Sequence, residues 1–268
     1  MSYRSPVDTV VRPSPGPQAG AFRLWLPRQH GAWAMLAVPF LLGIAVTRPT
    51  GWHVALGGVA AAGYLASATA QTWVRARARQ RYTASLLVYA STAALLSAAL
   101  VVTHPNLLLA FVVLAPAGAI TLVAAKLGRA RGVAAGFAQV VQALVLVPAA
   151  ASLAGPLDPP AIAKTTFLAA VYLVGTLLAV RSVIREQGNA GFAALSVGFH
   201  VAATAVGAIL LTPPFVALLG LLAIRAALLP IVQRRRRDTA TPLRPVRVGV
   251  VETVLATCVV GLAFVSPI

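Results

Sequence analysis

Cysteine and acidic residues are scarce in this chain of 268 residues, which has one Cys and only five Asp and Glu residues. A single cysteine, Cys258, cannot form an intramolecular disulfide or supply a thiolate metal cluster, so we expect no redox centre. Charged residues make up 10% of the chain, against 59% hydrophobic residues and a mean hydropathy of +0.85. This composition leaves too little polar surface to cover a soluble globule, and it indicates an integral membrane protein.

The scarcity of acids leaves a formal net charge of +17. The basic residues do not concentrate in one soluble domain but fall in short clusters between apolar runs. A nucleic-acid partner is therefore not expected, since such proteins carry their Lys and Arg as a patch on a soluble domain. The clusters are typical of loops between membrane spans.

Nine apolar segments approach or reach the roughly 20 residues that are needed to cross a bilayer. They extend over residues 31–47, 53–73, 83–103, 107–125, 133–153, 161–180, 190–211, 215–232 and 246–265. The first and eighth are short, so seven or eight spans are the alternatives to nine. The segments lack the polar and apolar alternation of barrel strands. We therefore predict an all-α, polytopic membrane bundle of about nine transmembrane helices.

The basic residues also predict an orientation, because cytoplasmic loops collect Lys and Arg. With nine spans, 19 of the 22 basic residues fall on one side. The other side receives Arg48 and Lys164, while Arg225 lies inside a span. This pattern predicts an amino terminus inside and a carboxyl terminus outside the bacterial cytoplasmic membrane.

The domain organisation is predicted to be simple. Residues 1–22 are rich in Pro, Ser and Gly and are expected to form a disordered cytoplasmic tail. Residues 23–268 are expected to form one transmembrane helical domain. We expect no cleaved signal peptide, because the first apolar run starts beyond residue 30 and leads into further spans.

Three stretches resemble the YwiC-like family of bacterial membrane proteins. They are PRQHGAWAMLAVPFLLG at 27–43, VRSVIREQGN at 180–189 and RPVRVGVVET at 244–253, and HGAWAM is the most specific part. The resemblance extends over nearly all of residues 27–265. It implies a membrane protein and brings no assigned activity with it.

The nine-helix plan is also similar to that of the UbiA-type intramembrane prenyltransferases, which resemble this chain in architecture and not in motif. Those enzymes hold Mg²⁺ with NxxxDxxxD on the second helix and DxxxD on the sixth. The comparable places here keep the four-residue spacing without the acids: Ser67, Gln71 and Arg75, then Arg181, Arg185 and Asn189. Because Mg²⁺ prefers carboxylate and phosphate oxygens, we expect no metal site and no cofactor.

The arginines in these places favour an anion site, since a guanidinium group suits phosphate or carboxylate. A helix that continued into the loop would place Arg181, Arg185 and Asn189 on one face. Gln71 and Arg75 would form a second row, and both rows would face one cytoplasmic vestibule. The alternative is that these charges set only the topology and contact lipid phosphates.

Arg28 and His30 are predicted at the cytoplasmic boundary, beside the interfacial aromatic residues Trp25 and Trp33. This pair has two alternative roles: it anchors the chain at the lipid headgroups, or it takes part in the vestibule. His53 and His104 lie at outer loop edges and are expected to be interfacial only.

Three ionisable residues are predicted within spans, where an unpaired charge is costly. His200 is expected to be a neutral imidazole bonded to a neighbouring carbonyl or hydroxyl, such as that of Ser196, or else part of a proton relay. Arg225 and Glu252 lie at equal predicted depth, on the order of 10 Å below the boundary, on consecutive antiparallel helices. They are expected to form an ion pair, unless Arg225 reaches the headgroups and Glu252 takes up a proton.

Two hypotheses on function follow. The first is a protein that binds an anionic lipid or polyisoprenoid in the vestibule; the second is a small-solute transporter or an accessory subunit of a membrane complex. The candidate ligand-binding residues are Arg28, His30, Gln71, Arg75, Arg181, Arg185, Glu186, Asn189, His200, Arg225 and Glu252.

Overall fold

A computed structural model describes residue 25 and residues 30–77, 79–156, 158–237 and 245–268, with the backbone alone at 30–32, 236, 237 and 245. Within these ranges the chain is helical and contains no strand. The α-helices are α1 His30–Ala45, α2 Gly51–Arg75, α3 Gln80–Thr103, α4 Leu109–Lys126, α5 Val133–Leu144, α6 Leu146–Ala151, α7 Pro159–Ile184, α8 Ala190–Leu210, α9 Pro213–Arg237 and α10 Pro245–Val265. A short 3-10 helix, Pro105–Leu108, precedes α4. The predicted tail at 1–22 lies outside the described residues.

Seven helical segments of the described chain are long and apolar enough to cross a membrane. They are Gln80–Thr103, Pro105–Lys126, Val133–Ala151, Pro159–Ile184, Ala190–Leu210, Pro213–Arg235 and Val246–Val265. The chain is thus a multi-pass membrane protein. The first predicted span has a shorter apolar part, Trp33–Ala45, and the second is helical over 25 residues but is not among the seven. The predicted count of nine spans is therefore not confirmed.

The helices match the predicted apolar segments closely, with one interruption. The fifth segment is divided into α5 and α6 at Val145. Pro148 lies three residues later, and its ring conflicts with the carbonyl of Leu144, four residues before it. Pro39, Pro116 and Pro230 instead lie inside continuous helices.

The core of the bundle surrounds α7. In the most apolar stretch of α7, more than half of the residues are buried. The corresponding share is 6% in α3 and 17% in the segment Pro105–Lys126, which contains α4. Leu168 and Leu173 of α7 pack in one buried cluster with Phe215 and Leu222 of α9 and Val259 of α10. Helices α3 and α4 therefore contribute little to the core. Polar side chains that are buried between α7, α8, α9 and α10 are shielded from the solvent and lipid around the protein.

Candidate functional site

Arg225 of α9 and Glu252 of α10 meet inside this core. Arg225 Nη1 lies 2.5 Å from Glu252 Oε2, and the two side chains are only 6% and 11% exposed. The predicted pairing is confirmed, and the alternative in which Arg225 extends to the headgroups is wrong. Charges taken out of water in this way need each other's attraction, because each alone would carry a desolvation cost of several kcal/mol.

Two side chains of α7 complete the surroundings of Glu252. Thr176 Oγ1 donates to Glu252 Oε2 over 2.9 Å, and the Tyr172 hydroxyl donates to the Glu252 backbone carbonyl over 3.0 Å. Neither residue was predicted to belong to a functional site. Their spacing of four places them on one helical face, which is the only signal that the sequence offered.

His200 of α8 is the fifth member of this buried polar cluster, which consists of Tyr172, Thr176, His200, Arg225 and Glu252. Its Nδ1 lies 2.6 Å from the carbonyl oxygen of Ser196, and its Nε2 lies 3.2 Å from Arg225 Nη2. The predicted bond to a neighbouring carbonyl is confirmed. The ring can approach α7 this closely because Gly175 has no side chain: a Cβ there would lie 2.6 Å from Nε2.

A second group of polar residues lies at the C-terminal end of α7. Arg181 Nε and Nη2 each lie 3.3 Å from Glu186 Oε1, and Asn189 Nδ2 donates to Glu186 Oε2 over 3.3 Å. Arg181 Nη1 also donates to the backbone carbonyl of Arg131 over 3.1 Å, and Arg185 Nη1 donates to the same carbonyl. We call Arg131, Arg181, Arg185, Glu186 and Asn189 the arginine cluster.

The single helical face predicted for Arg181, Arg185 and Asn189 does not form. Helix α7 ends at Ile184, and the chain turns at Gly188, whose φ of +84° favours glycine. Asn189 then serves as the N-cap of α8, with its Oδ1 accepting from the Phe192 amide over 3.0 Å. The cluster is therefore built by the last turn of α7 and two loops that meet beside it, and not by one continued helix.

Positive charge predominates in the arginine cluster, which contains three arginines and one carboxylate. Partial desolvation lowers the pKa of the Arg185 guanidinium, and the positive charges of Arg181 and Arg131 lower it further. Each guanidinium has five N–H donors and accepts nothing. The cluster can therefore offer further donors to an anion.

Two cavities lie near this end of the bundle. One, of about 20 Å³, is lined by Glu186 and Asn189 together with Pro230 and Arg234 of α9, and it has room for about one water molecule. The other is an apolar groove of about 510 Å³ between α4 and α5, whose lining includes Arg129. Arg129 and Arg131 belong to the same short loop between α4 and α5, so the groove opens beside the arginine cluster.

The remaining predicted residues are spread over other parts of the chain. In the described region, Gln71 and Arg75 bond within α2, Gln71 to Ser67 and Arg75 to the carbonyl of Gln71. Neither forms a hydrogen bond or ion pair with Arg181 or Arg185, so a joint vestibule stays a prediction. Arg28 lies outside the described residues, and for His30 the structure describes only the backbone, at the start of α1.

His53 was predicted to be an interfacial residue only, whereas the structure shows it buried and hydrogen-bonded. The residue is only 4% exposed. Its Nδ1 accepts a hydrogen bond from the Thr50 amide over 2.9 Å, and its Nε2 lies 3.0 Å from the Ala150 carbonyl oxygen. The bond joins the start of α2 to the last turn of α6, where backbone carbonyls lack partners within the helix. His104 contacts the Trp52 ring edge-on, with 5.3 Å between ring centroids.

Comparison with known proteins gives a partial assignment. Residues 26–151 match the sequence model of the family described as YwiC-like protein. That range ends where α6 ends and covers slightly less than half of the chain. A Bacillus subtilis (strain 168) protein described as uncharacterized protein YwiC is 58% identical over 31 residues, which are 12% of this chain and 13% of that protein. No solved structure matches. The buried polar cluster and the α7 end of the arginine cluster lie beyond the matched range, and the UbiA-like resemblance finds no support.

Proposed function

We propose that this chain is a YwiC-like membrane protein that binds an anionic lipid at the arginine cluster. The observation that carries the proposal is that Arg181 and Arg185 both donate to the backbone carbonyl of Arg131, while Glu186, which bonds Arg181, is the one carboxylate of the cluster. Two arginines bonded to one carbonyl and one acid leave most of their donors free for the oxygens of a phosphate group.

The groove between α4 and α5 supplies a place for an acyl or isoprenoid chain. Its lining is almost entirely apolar, with Ile120 and Val123 on the α4 side and Val133 on the α5 side. A volume of about 510 Å³ lies within the range of about 300–1,000 Å³ that is usual for ligand sites. Arg129 in the lining would bring a further positive charge to a headgroup at the mouth of the groove.

Retention of an anionic phospholipid tests this proposal. The variant Arg181→Gln/Arg185→Gln is expected to retain phosphatidylglycerol at least about tenfold less well than the unaltered protein, because the loss of even one charge-assisted hydrogen bond costs about 1.5–3 kcal/mol. Native mass spectrometry of the delipidated protein, titrated with this lipid, measures the retention.

The matched control is Arg77→Gln/Arg79→Gln, in the loop between α2 and α3, where we expect the charges to set topology alone. Arg79 rests over the Trp73 ring and no bond joins it to the arginine cluster. Equal losses in the two variants, or no loss in either, would contradict the proposal. Diacylglycerol, which has the acyl chains but no phosphate group, distinguishes a headgroup effect, since its retention should change little.

We further propose nine spans with the amino terminus in the cytoplasm, so that the arginine cluster faces inward. The meeting of Arg131 from the α4–α5 loop with Arg181 and Arg185 at the end of α7 supports this arrangement, because basic residues collect at the cytoplasmic ends of membrane helices. A reporter fused after Ile268 is expected to be active outside, and one inserted between Arg234 and Arg237 is expected to be active inside. Activity of both reporters on the same side would contradict the nine-helix topology.

A small-solute transporter, or an accessory subunit of a membrane complex, is the second candidate. It is favoured by the buried polar cluster, because ionisable residues within membrane helices mark ion and substrate pathways in many transporters. A lipid-binding role alone gives no reason for His200 to contact Arg225.

A further inference from the structure

The hydrogen bonds of His200 define the protonation state of its ring. A carbonyl oxygen can only accept, so Nδ1 must carry the hydrogen that is shared with Ser196 over 2.6 Å. The guanidinium of Arg225 can only donate, so Nε2, 3.2 Å from Nη2, must present its lone pair. The observed contacts therefore require a neutral His200 with the hydrogen on Nδ1.

A proton on Nε2 would be incompatible with the contact to Arg225. Two donors would face each other, and two positive charges would lie 3.2 Å apart where His200 is 1% exposed. The ring has little room to withdraw towards α7, since its Nε2 is already so close that a Cβ at Gly175 would lie 2.6 Å from it. Arg225 is the partner that has to move.

Glu252 offers Arg225 a second arrangement. The present ion pair uses only Oε2, and both Glu252 Oε1 and Arg225 Nε are buried without a hydrogen-bond partner. Unpartnered buried polar atoms are rare and call for a physical reason. A guanidinium released from His200 can bind both carboxylate oxygens at once, which is the stronger geometry for this pair.

We propose that His200 is a proton-binding site that switches Arg225 between two partners. With neutral His200, Arg225 is shared between Nε2 and Glu252; with protonated His200, Arg225 is held by both oxygens of Glu252. The proton comes from bulk water and forms one N–H bond at Nε2. One hydrogen bond breaks, and Glu252 stays ionised.

The surroundings of the ring are consistent with such a switch. Helix α8 carries no other ionisable residue between Ala190 and Leu210, and the proposal does not depend on lipid binding. The charged or titratable groups of the helices around the ring are Arg225 from the middle of α9, Glu252 and Cys258 from α10, Tyr172 from α7, and, near the helix ends, Lys164, Arg181, Arg234–Arg237 and Arg247.

Nitrogen NMR of the full-length protein in lipid nanodiscs, with ¹⁵N-labelled His and Arg, tests the switch. Variants of His200 and Arg225 assign their signals. At about pH 8, His200 is expected to carry its hydrogen on Nδ1. His53 provides a control within the same sample, because its contacts to Thr50 and Ala150 require the hydrogen on Nε2.

On acidification to about pH 4, beyond the range where histidine ordinarily titrates, His200 should gain a proton and the Arg225 Nε signal should shift with the same midpoint. The proposal is overturned if His200 carries its hydrogen on Nε2 at high pH, stays neutral throughout, or is protonated without a response from Arg225. Glu252→Gln should lower the proton affinity of His200 about tenfold, or one pH unit, because Arg225 loses its second partner. An unchanged affinity in that variant would contradict the switch, and the titration of the unaltered protein is decisive whether or not the variant folds.

Discussion

Arg225→Leu and Glu252→Leu are each expected to lower the melting temperature of the purified protein by roughly 10 °C, whereas the double variant should regain more than half of that loss. Removing one member of a buried ion pair leaves an unpaired charge in the core and costs about 3–5 kcal/mol. Replacing both members by apolar side chains removes the desolvation cost together with the attraction, and such replacements are often close to neutral.

A double-mutant cycle of thermal unfolding in detergent measures this coupling. The melting temperature of the double variant should not recover fully. The variant also removes Arg225 as the donor to His200 and Glu252 as the acceptor for Thr176. Arg247→Leu is the matched control, since Arg247 is an exposed residue of the same helix as Glu252 and should change stability by less than about 0.5 kcal/mol. Strictly additive losses would mean that Arg225 and Glu252 do not interact.

Gly43→Ala is expected to destabilise the protein by about 3 kcal/mol, at the upper end of the usual cost of overpacking. A Cβ at Gly43 would lie 2.6 Å from the Val147 carbonyl oxygen and 2.8 Å from the Ala150 Cβ. Both atoms belong to α6 and neither lies at the end of a flexible side chain. Helix α1 would therefore have to move away from α6 as a unit.

Gly63→Ala in the middle of α2 is the control for this substitution. Nothing lies within 4 Å of a Cβ at Gly63, and alanine in a helix interior is favoured over glycine by about 0.5–1 kcal/mol. We therefore expect Gly63→Ala to raise the melting temperature slightly and Gly43→Ala to lower it. Equal effects of the two substitutions would contradict the close approach of α1 and α6.

The positions of the helices were predictable because apolar composition and length are local properties of a sequence. The eighth predicted segment, 215–232, was thought short, but α9 continues to Arg237, since a helix can extend beyond the apolar core into a run of arginines. The pairing of Arg225 and Glu252 was predictable because two charges at equal depth on consecutive helices each account for the other's presence.

The sequence by itself determined a helical membrane protein with basic loops, and it offered the buried ion pair as one of two alternatives for Arg225 and Glu252. Only the tertiary structure decided that Tyr172 and Thr176 surround Glu252, that His53 bonds to α6, and that Asn189 caps α8. These contacts depend on how each helix is rotated and which helices are adjacent. Apolar residues such as Leu and Ala suit a lipid-facing surface and a helix interface equally well, so the sequence pattern leaves rotation and adjacency open.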